Sequence, residues 1–130
     1  MNCRRVLNSD YEMLSEWWIG HGWPAVKREV LPFGLICEKD GKPLSAGFLY
    51  LASNAPVAYL EYLVTDPENS ARDSYKAIDM VLEELTAICR YNMIVSCFAR
   101  ISQDSLAKLY EKHDFIVCDT VKDLIWNWRA

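Results

Sequence analysis

The chain has 130 residues, of which 52% are hydrophobic and 25% charged, and a net charge of −4. That length and balance fit one domain, residues 1–130, with a core of its own, and exclude a disordered chain. The acidic total leaves no basic surface for nucleic acid, no uncharged run approaches the ~20 residues of a membrane span, and "MNCRRVLNSD" is no secretory signal, so the expected compartment is the cytoplasm.

Residues 3–7 read as a first strand. Ser9 or Asp10 is placed to cap a helix through "YEMLSEWWIG", which stops at the glycines of "GHGWP". Residues 21–32 form a loop closed by Pro32. "FGLICEKDGKPLSAGFLYLA" is a hairpin, because two apolar runs meet at Asp40-Gly41. "APVAYLEYLV" gives the next strand, beginning after Pro56.

A helix follows from Ala71 to Arg90, with Ala71, Tyr75, Ile78, Val81, Leu82, Leu85, Ile88 and Cys89 at intervals of three and four. "MIVSCFA" has the unbroken apolar character of a strand in a sheet centre. "QDSLAKLYEKHDF" is a second amphipathic helix, with Leu106, Leu109, Tyr110 and His113 on one stripe. "FIVCD" and "KDLIWNW" finish the chain as an antiparallel pair. The unit from Tyr59 to Ala99 is strand–helix–strand, which predicts a parallel pair inside a mixed sheet. The fold class is α+β.

The five cysteines, Cys3, Cys37, Cys89, Cys97 and Cys118, are scattered without a CxxC pair, and His21 and His113 stand far from any cluster. No metal is expected, and the thiols are read as buried structural groups rather than zinc ligands or disulfides.

The stretch "LVTDPENSARDSYKAIDMVLEEL" runs from strand to helix without a glycine. A helix start offers unpaired N–H groups and a partial positive charge, which suit a phosphate. Ser70-Ala71-Arg72-Asp73 has the form of a capping box that would satisfy those donors internally, and Asp73 and Tyr75 add repulsion and bulk. Arg72 and Lys76 bring positive charge to the same turn. A re-shaped anion site and a closed one both remain open.

Three local sequences resemble the GNAT superfamily of acyl-CoA-dependent N-acyltransferases, and the element order resembles it along nearly the whole chain. "YLVTDPE", Tyr62 to Glu68, is similar to that family's fourth strand and the turn leaving it. "SLAKLYEKHDF" is similar to its late helix: Tyr110 and Phe115 match, and Asp114 stands where glycine is usual. "EWWIGHGWP", with "LP" and "GFLY" downstream, resembles a small GNAT-like branch encoded by tailed bacteriophages. At the family's phosphate loop this chain departs, with Ser70, Asp73 and Tyr75 at the positions that pattern fixes.

The resemblance implies a GNAT-like, centrally splayed sheet of six to seven strands flanked by three to four helices. It implies an N-acetyltransferase using acetyl-CoA as co-substrate and a primary amine as acceptor. Leu63, Val64 and Thr65 would bind the pantetheine arm through their backbone, and Ser70, Ala71, Arg72, Asp73, Ser74, Tyr75, Lys76 and Gln103 would hold the rest of the cofactor.

Acyl transfer to an amine needs a base for the amine proton and a partner for the departing thiolate. Glu61, inside the apolar run "VAYLEYLV" and on the face of Tyr59 and Leu63 by alternation, is the candidate base; its plain alternative is a solvent-facing or arginine-paired glutamate. Tyr110 is the candidate donor to sulfur, where full proton transfer from phenol to thiolate is uphill by roughly 2 kcal/mol. Its plain alternative is a core tyrosine. Trp17, Trp18, His21 and Trp23 are the candidate acceptor slot, against a reading in which a tryptophan anchors the helix and His21 only makes a hydrogen bond. A homodimer is compatible with the family. The rival functions are a non-catalytic, virion-associated GNAT-fold module and an interaction domain unrelated to CoA.

Overall fold

The computed structural model describes residues 1–118 together with Lys122 and Leu124. A five-stranded sheet runs in sequence order through β1 (Asn2–Arg5), β2 (Phe33–Lys39), β3 (Lys42–Leu51), β4 (Val57–Thr65) and β5 (Ser96–Ala99). Neighbours are antiparallel except for the parallel pair β4–β5. Helices α1 (Tyr11–Gly20), α2 (Ala71–Tyr91) and α3 (Asp104–Lys112) complete an α+β domain of the expected order.

The hairpin turn is as expected: Asp40 and Gly41 take φ of 51° and 76°, the conformation a two-residue turn demands. The start of α1 is not. Asp10 stands at its N-cap position, but its side chain makes no capping bond there, and Asn8–Asp10 form a separate 3-10 turn. The Asp10 carboxylate instead accepts from the Leu7 amide at 2.7 Å and grips Arg4 at 2.8 and 2.9 Å. Hydrogen bonds from Arg4 hold that carboxyl below its usual range against the opposing effect of burial.

The expected sheet-centre strand shrinks to Ser96–Ala99, with Val95 79% and Phe98 53% exposed. Among the described residues β5 has one neighbour, β4. Of the expected final pair, Phe115–Cys118 form no strand, Lys122 and Leu124 belong to no element, and the remainder lies outside the described residues. The sheet therefore has five strands among the described residues where six to seven were expected.

The sheet buries both faces. On one, Leu14, Trp17 and Trp18 of α1 pack on Ile36, Ala46, Phe48 and Val64. On the other, α2 contributes Ala77, Val81, Leu82, Leu85 and Cys89, and α3 contributes Leu109 and Tyr110. Ala71 and Tyr75 fall outside that buried face, which begins at Ala77, nearly two turns later than the periodicity indicates. A Cβ on Gly47 would lie 2.8 Å from Val81 Cγ1 and 3.1 Å from Leu85 Cδ1. Gly47→Ala should therefore destabilise by about 1–3 kcal/mol through overpacking, read as a lower denaturation midpoint.

α3 is fixed to α2 by charge as well as packing. His113 Nε2 lies 2.7 Å from Asp79 and its Nδ1 3.1 Å from Glu83, while Lys112 reaches Asp79 at 3.2 Å.

Candidate functional site

β4 and β5 pair only from Val57–Ser96 to Leu60–Ala99, and then part. The register of β4 against β3 slips at the same point: Ala46 faces Val64, but Phe48 faces Glu61. β4 thus carries one extra residue, and Tyr62 sits there at φ 57°. A bulky aromatic in the left-handed region costs on the order of 1 kcal/mol or more and is held there by its surroundings. Its ring packs edge-on to Phe48 at 6.4 Å and Tyr50 at 6.3 Å.

The slip changes which side chains share a face. Ala58, Leu60 and Leu63 belong to the α2 side, whereas Tyr62 and Val64 belong to the α1 side. Glu61, next to Leu60 in regular strand, therefore faces away from Leu63. This corrects the simple alternation.

Where the strands part there is a cavity of about 220 Å³, walled by Leu60, Tyr62, Leu63 and the segment Arg100–Gln103, with Leu106 and Tyr110 from α3 and Trp23 from the loop after α1. It is narrower than the ~300–1,000 Å³ of sites for whole drug-sized ligands, and suits a thin chain end.

Tyr110 is 4% exposed, and its ring meets Phe115 at 5.1 Å. Its hydroxyl has no hydrogen-bond partner among the described residues. Burial, and then the charges of Glu61 and Cys97, push the phenol above its ordinary range, so at neutral pH it carries its proton and donates. Asp114 adopts φ 70°, the conformation for which glycine is the usual choice, and Asp is among the few residues that tolerate it. The turn ending α3 is therefore kept without a glycine.

Glu61, whose side chain is 12% exposed, receives Arg100 in a fork: Nε donates to Oε1 at 3.2 Å and Nη2 to Oε2 at 3.0 Å. Arg100 directly follows β5. Sequence reasoning foresaw an arginine partner as an alternative without naming it, and the parallel register Leu60–Ala99 was the signal that would have identified it.

The backbone of β4 divides between two sides. The Asp66 amide donates to the Leu44 carbonyl at 3.0 Å. Ladder alternation then turns Val64's peptide groups toward β3 and those of Leu63 and Thr65 toward the cleft. The Thr65 carbonyl accepts from His21 Nε2 at 2.9 Å. His21 also stacks on Trp23 at 4.7 Å, so it fastens the loop that brings Trp23 to the cavity. Trp17 and Trp18 are 6% and 2% exposed, part of the core and remote in role from any slot.

At the start of α2, Ser70 Oγ accepts from the Asp73 amide at 3.1 Å, which is half of a capping box. The other half is absent, because Asp73 turns to Lys39 Nζ at 3.6 Å. The Ser74 amide donates to the Ser70 carbonyl at 3.0 Å, and the amides of Ala71 and Arg72 have no partner among the described residues. Tyr75 is 52% exposed with Lys112 Nζ 5.8 Å above its ring, and Arg72 and Lys76 are exposed. Gln103 lines the cavity and precedes α3 without capping it through its side chain. The helix start is thus partly satisfied and partly open.

Among the described residues no group of three or more His, Cys, Asp or Glu is arranged to hold a metal, and no helix is long and apolar enough to cross a membrane.

No protein-family model matches the sequence, nor does any curated protein. Solved structures do. A protein of Agrobacterium tumefaciens strain C58, provisionally described as an acetyltransferase, matches with a TM-score of 0.76 at 15% identity, over 97% of this chain and 100% of that one. An aminoglycoside acetyltransferase from an uncultured soil metagenomic sample, solved with trehalose, matches at 0.72 and 11% identity over 98% and 96%. The ribosomal-protein-S18-alanine N-acetyltransferase of Escherichia coli matches at 0.71 and 14% identity over 86% and 75%. At such identities the shared property is the fold, and the fold is that of the GNAT acetyltransferases.

Proposed function

We propose that this chain is an N-acetyltransferase that moves an acetyl group from acetyl-CoA to a primary amine. The observation that carries the reading is the opening between β4 and β5, with Tyr110, whose hydroxyl has no partner among the described residues, in its lining. Leu63 offers cleft-facing backbone groups to a pantetheine arm, and the amides of Ala71 and Arg72, without a partner among the described residues, offer donors to phosphate oxygens. The pairing of Asp73 with Lys39 reduces the repulsion an incoming anion would meet.

In this reading the amine approaches from the side of Glu61 and Trp23, loses its proton to Glu61, and attacks the thioester carbonyl. The amide bond forms as the carbon–sulfur bond breaks, and the Tyr110 hydroxyl donates a hydrogen bond to the leaving sulfur. Trp23, 43% exposed, is the acceptor-side aromatic, and His21 is its support.

A second reading, a non-catalytic module on the same fold, is favoured by the Thr65 carbonyl already being taken by His21. Thermal unfolding separates the two. Acetyl-CoA at a hundred times its dissociation constant adds ~2.7 kcal/mol, a rise on the order of 10 °C for a domain of this size. An unchanged midpoint at millimolar acetyl-CoA would remove the enzyme reading.

A further inference from the structure

We propose that Cys3 and Cys37 form an oxidation site at which hydrogen peroxide closes an intramolecular disulfide, stapling β1 to β2. The two residues are register partners on adjacent antiparallel strands. The Val6 amide donates to the Gly34 carbonyl at 2.9 Å, which makes that facing pair a hydrogen-bonded one. Counting back along the ladder, Arg4–Ile36 is hydrogen-bonded and Cys3–Cys37 is not. Non-hydrogen-bonded pairs bring their Cα atoms to about 4.5 Å with side chains leaning together, inside the ~4.4–6.8 Å that disulfides span.

Both sulfurs lie on the α2 side of the sheet. Cys37 is fully buried, with Met80 Sδ 3.7 Å from its Sγ, while Cys3 is half-buried on the edge strand. A small oxidant therefore meets Cys3 first. The two thiols face one another across the ladder, so once Cys3 is oxidised the buried Cys37 sulfur is the one placed to attack it.

The chemistry balances with peroxide alone. Cys3 takes one oxygen to become a sulfenic acid as the O–O bond breaks and one water leaves. Cys37 sulfur then attacks Cys3 sulfur, the S–O bond breaks, and a second water departs with the remaining thiol proton. Two thiols are oxidised by two electrons and one peroxide is reduced to two waters.

Cys89 and Cys97 also approach one another, but they join a helix end to a strand without facing register, and burial pushes the Cys97 thiol up to about 12. The Cys3–Cys37 bridge closes a ring containing α1, His21 and Trp23, so it restricts the unfolded chain on the acceptor side.

The test uses the full chain carrying Cys118→Ser, which removes the exposed thiol. After millimolar peroxide, peptide mapping is expected to join the Cys3 and Cys37 peptides. The Tm should rise by an amount on the order of 10 °C and return on reduction. Adding Cys97→Ser leaves that bridge intact, and adding Cys3→Ser abolishes it. A bridge mapped to Cys89 and Cys97, an oxygen adduct on Cys3 without a bridge, or all four thiols of the Cys118→Ser chain still alkylatable after treatment would each overturn the proposal.

Discussion

Glu61→Gln should lower kcat/KM by about 10²- to 10⁴-fold while leaving the fold intact, as removal of a positioned general base does. Glutamine has the shape of glutamate and still accepts one hydrogen bond from Arg100, so the β4–β5 junction keeps its geometry. The ion pair itself contributes little to stability, because Arg100 is 47% exposed and such pairs are worth about 0.2–1 kcal/mol. A carboxylate has about four lone-pair sites, and the guanidinium fork occupies two of them. The others remain for an ammonium proton, so pairing with Arg100 positions Glu61 without excluding it as a base. Steady-state rates with a panel of primary amines check this. Turnover within threefold of the parent, with thermal stability lowered, would leave Glu61 only the role of a strand-end ion pair.

The fold was legible where local chemistry and periodicity agree. Asp40-Gly41 specified a two-residue turn, and the apolar face of α2 specified a long helix across a sheet. The order of elements followed from those signals. What escaped was decided by contacts between distant residues. Nothing in "YLEYLV" marks Tyr62 as the residue that leaves the strand, because the bulge is set by how β3 meets β4. Face assignments downstream of it were inverted for that reason. Trp17 and Trp18 attract attention as ligand-binding aromatics, but adjacent tryptophans on a helix over Phe48 are worth more buried. Asp73 illustrates the same limit: the capping-box pattern is present in sequence, yet Lys39, far away in the chain, draws off half of it.

Tyr110→Phe should slow turnover by roughly 10²- to 10³-fold, the loss typical of one donor aimed at developing negative charge. It should do so while stability holds or rises by up to about 1 kcal/mol. The two effects share a cause. The hydroxyl has no partner among the described residues, so its removal orphans nothing, and the ring keeps its burial and its contact with Phe115 at 5.1 Å. A tyrosine serving only the core would be expected to bond its hydroxyl or to lose it to phenylalanine without consequence for rate. On the proposed mechanism, the polar group gains a partner when the thiolate forms. The raised phenol makes the prediction narrower still: a group held above its ordinary range is a poorer proton source, so the proposed role is a hydrogen bond rather than full transfer. Acetyl-CoA affinity, read from the thermal shift, should stay near that of the parent, since the loss is confined to the transition state. If the variant bound acetyl-CoA more weakly and turned over as fast, Tyr110 would be a wall of the cavity and the thiolate would have to be stabilised elsewhere.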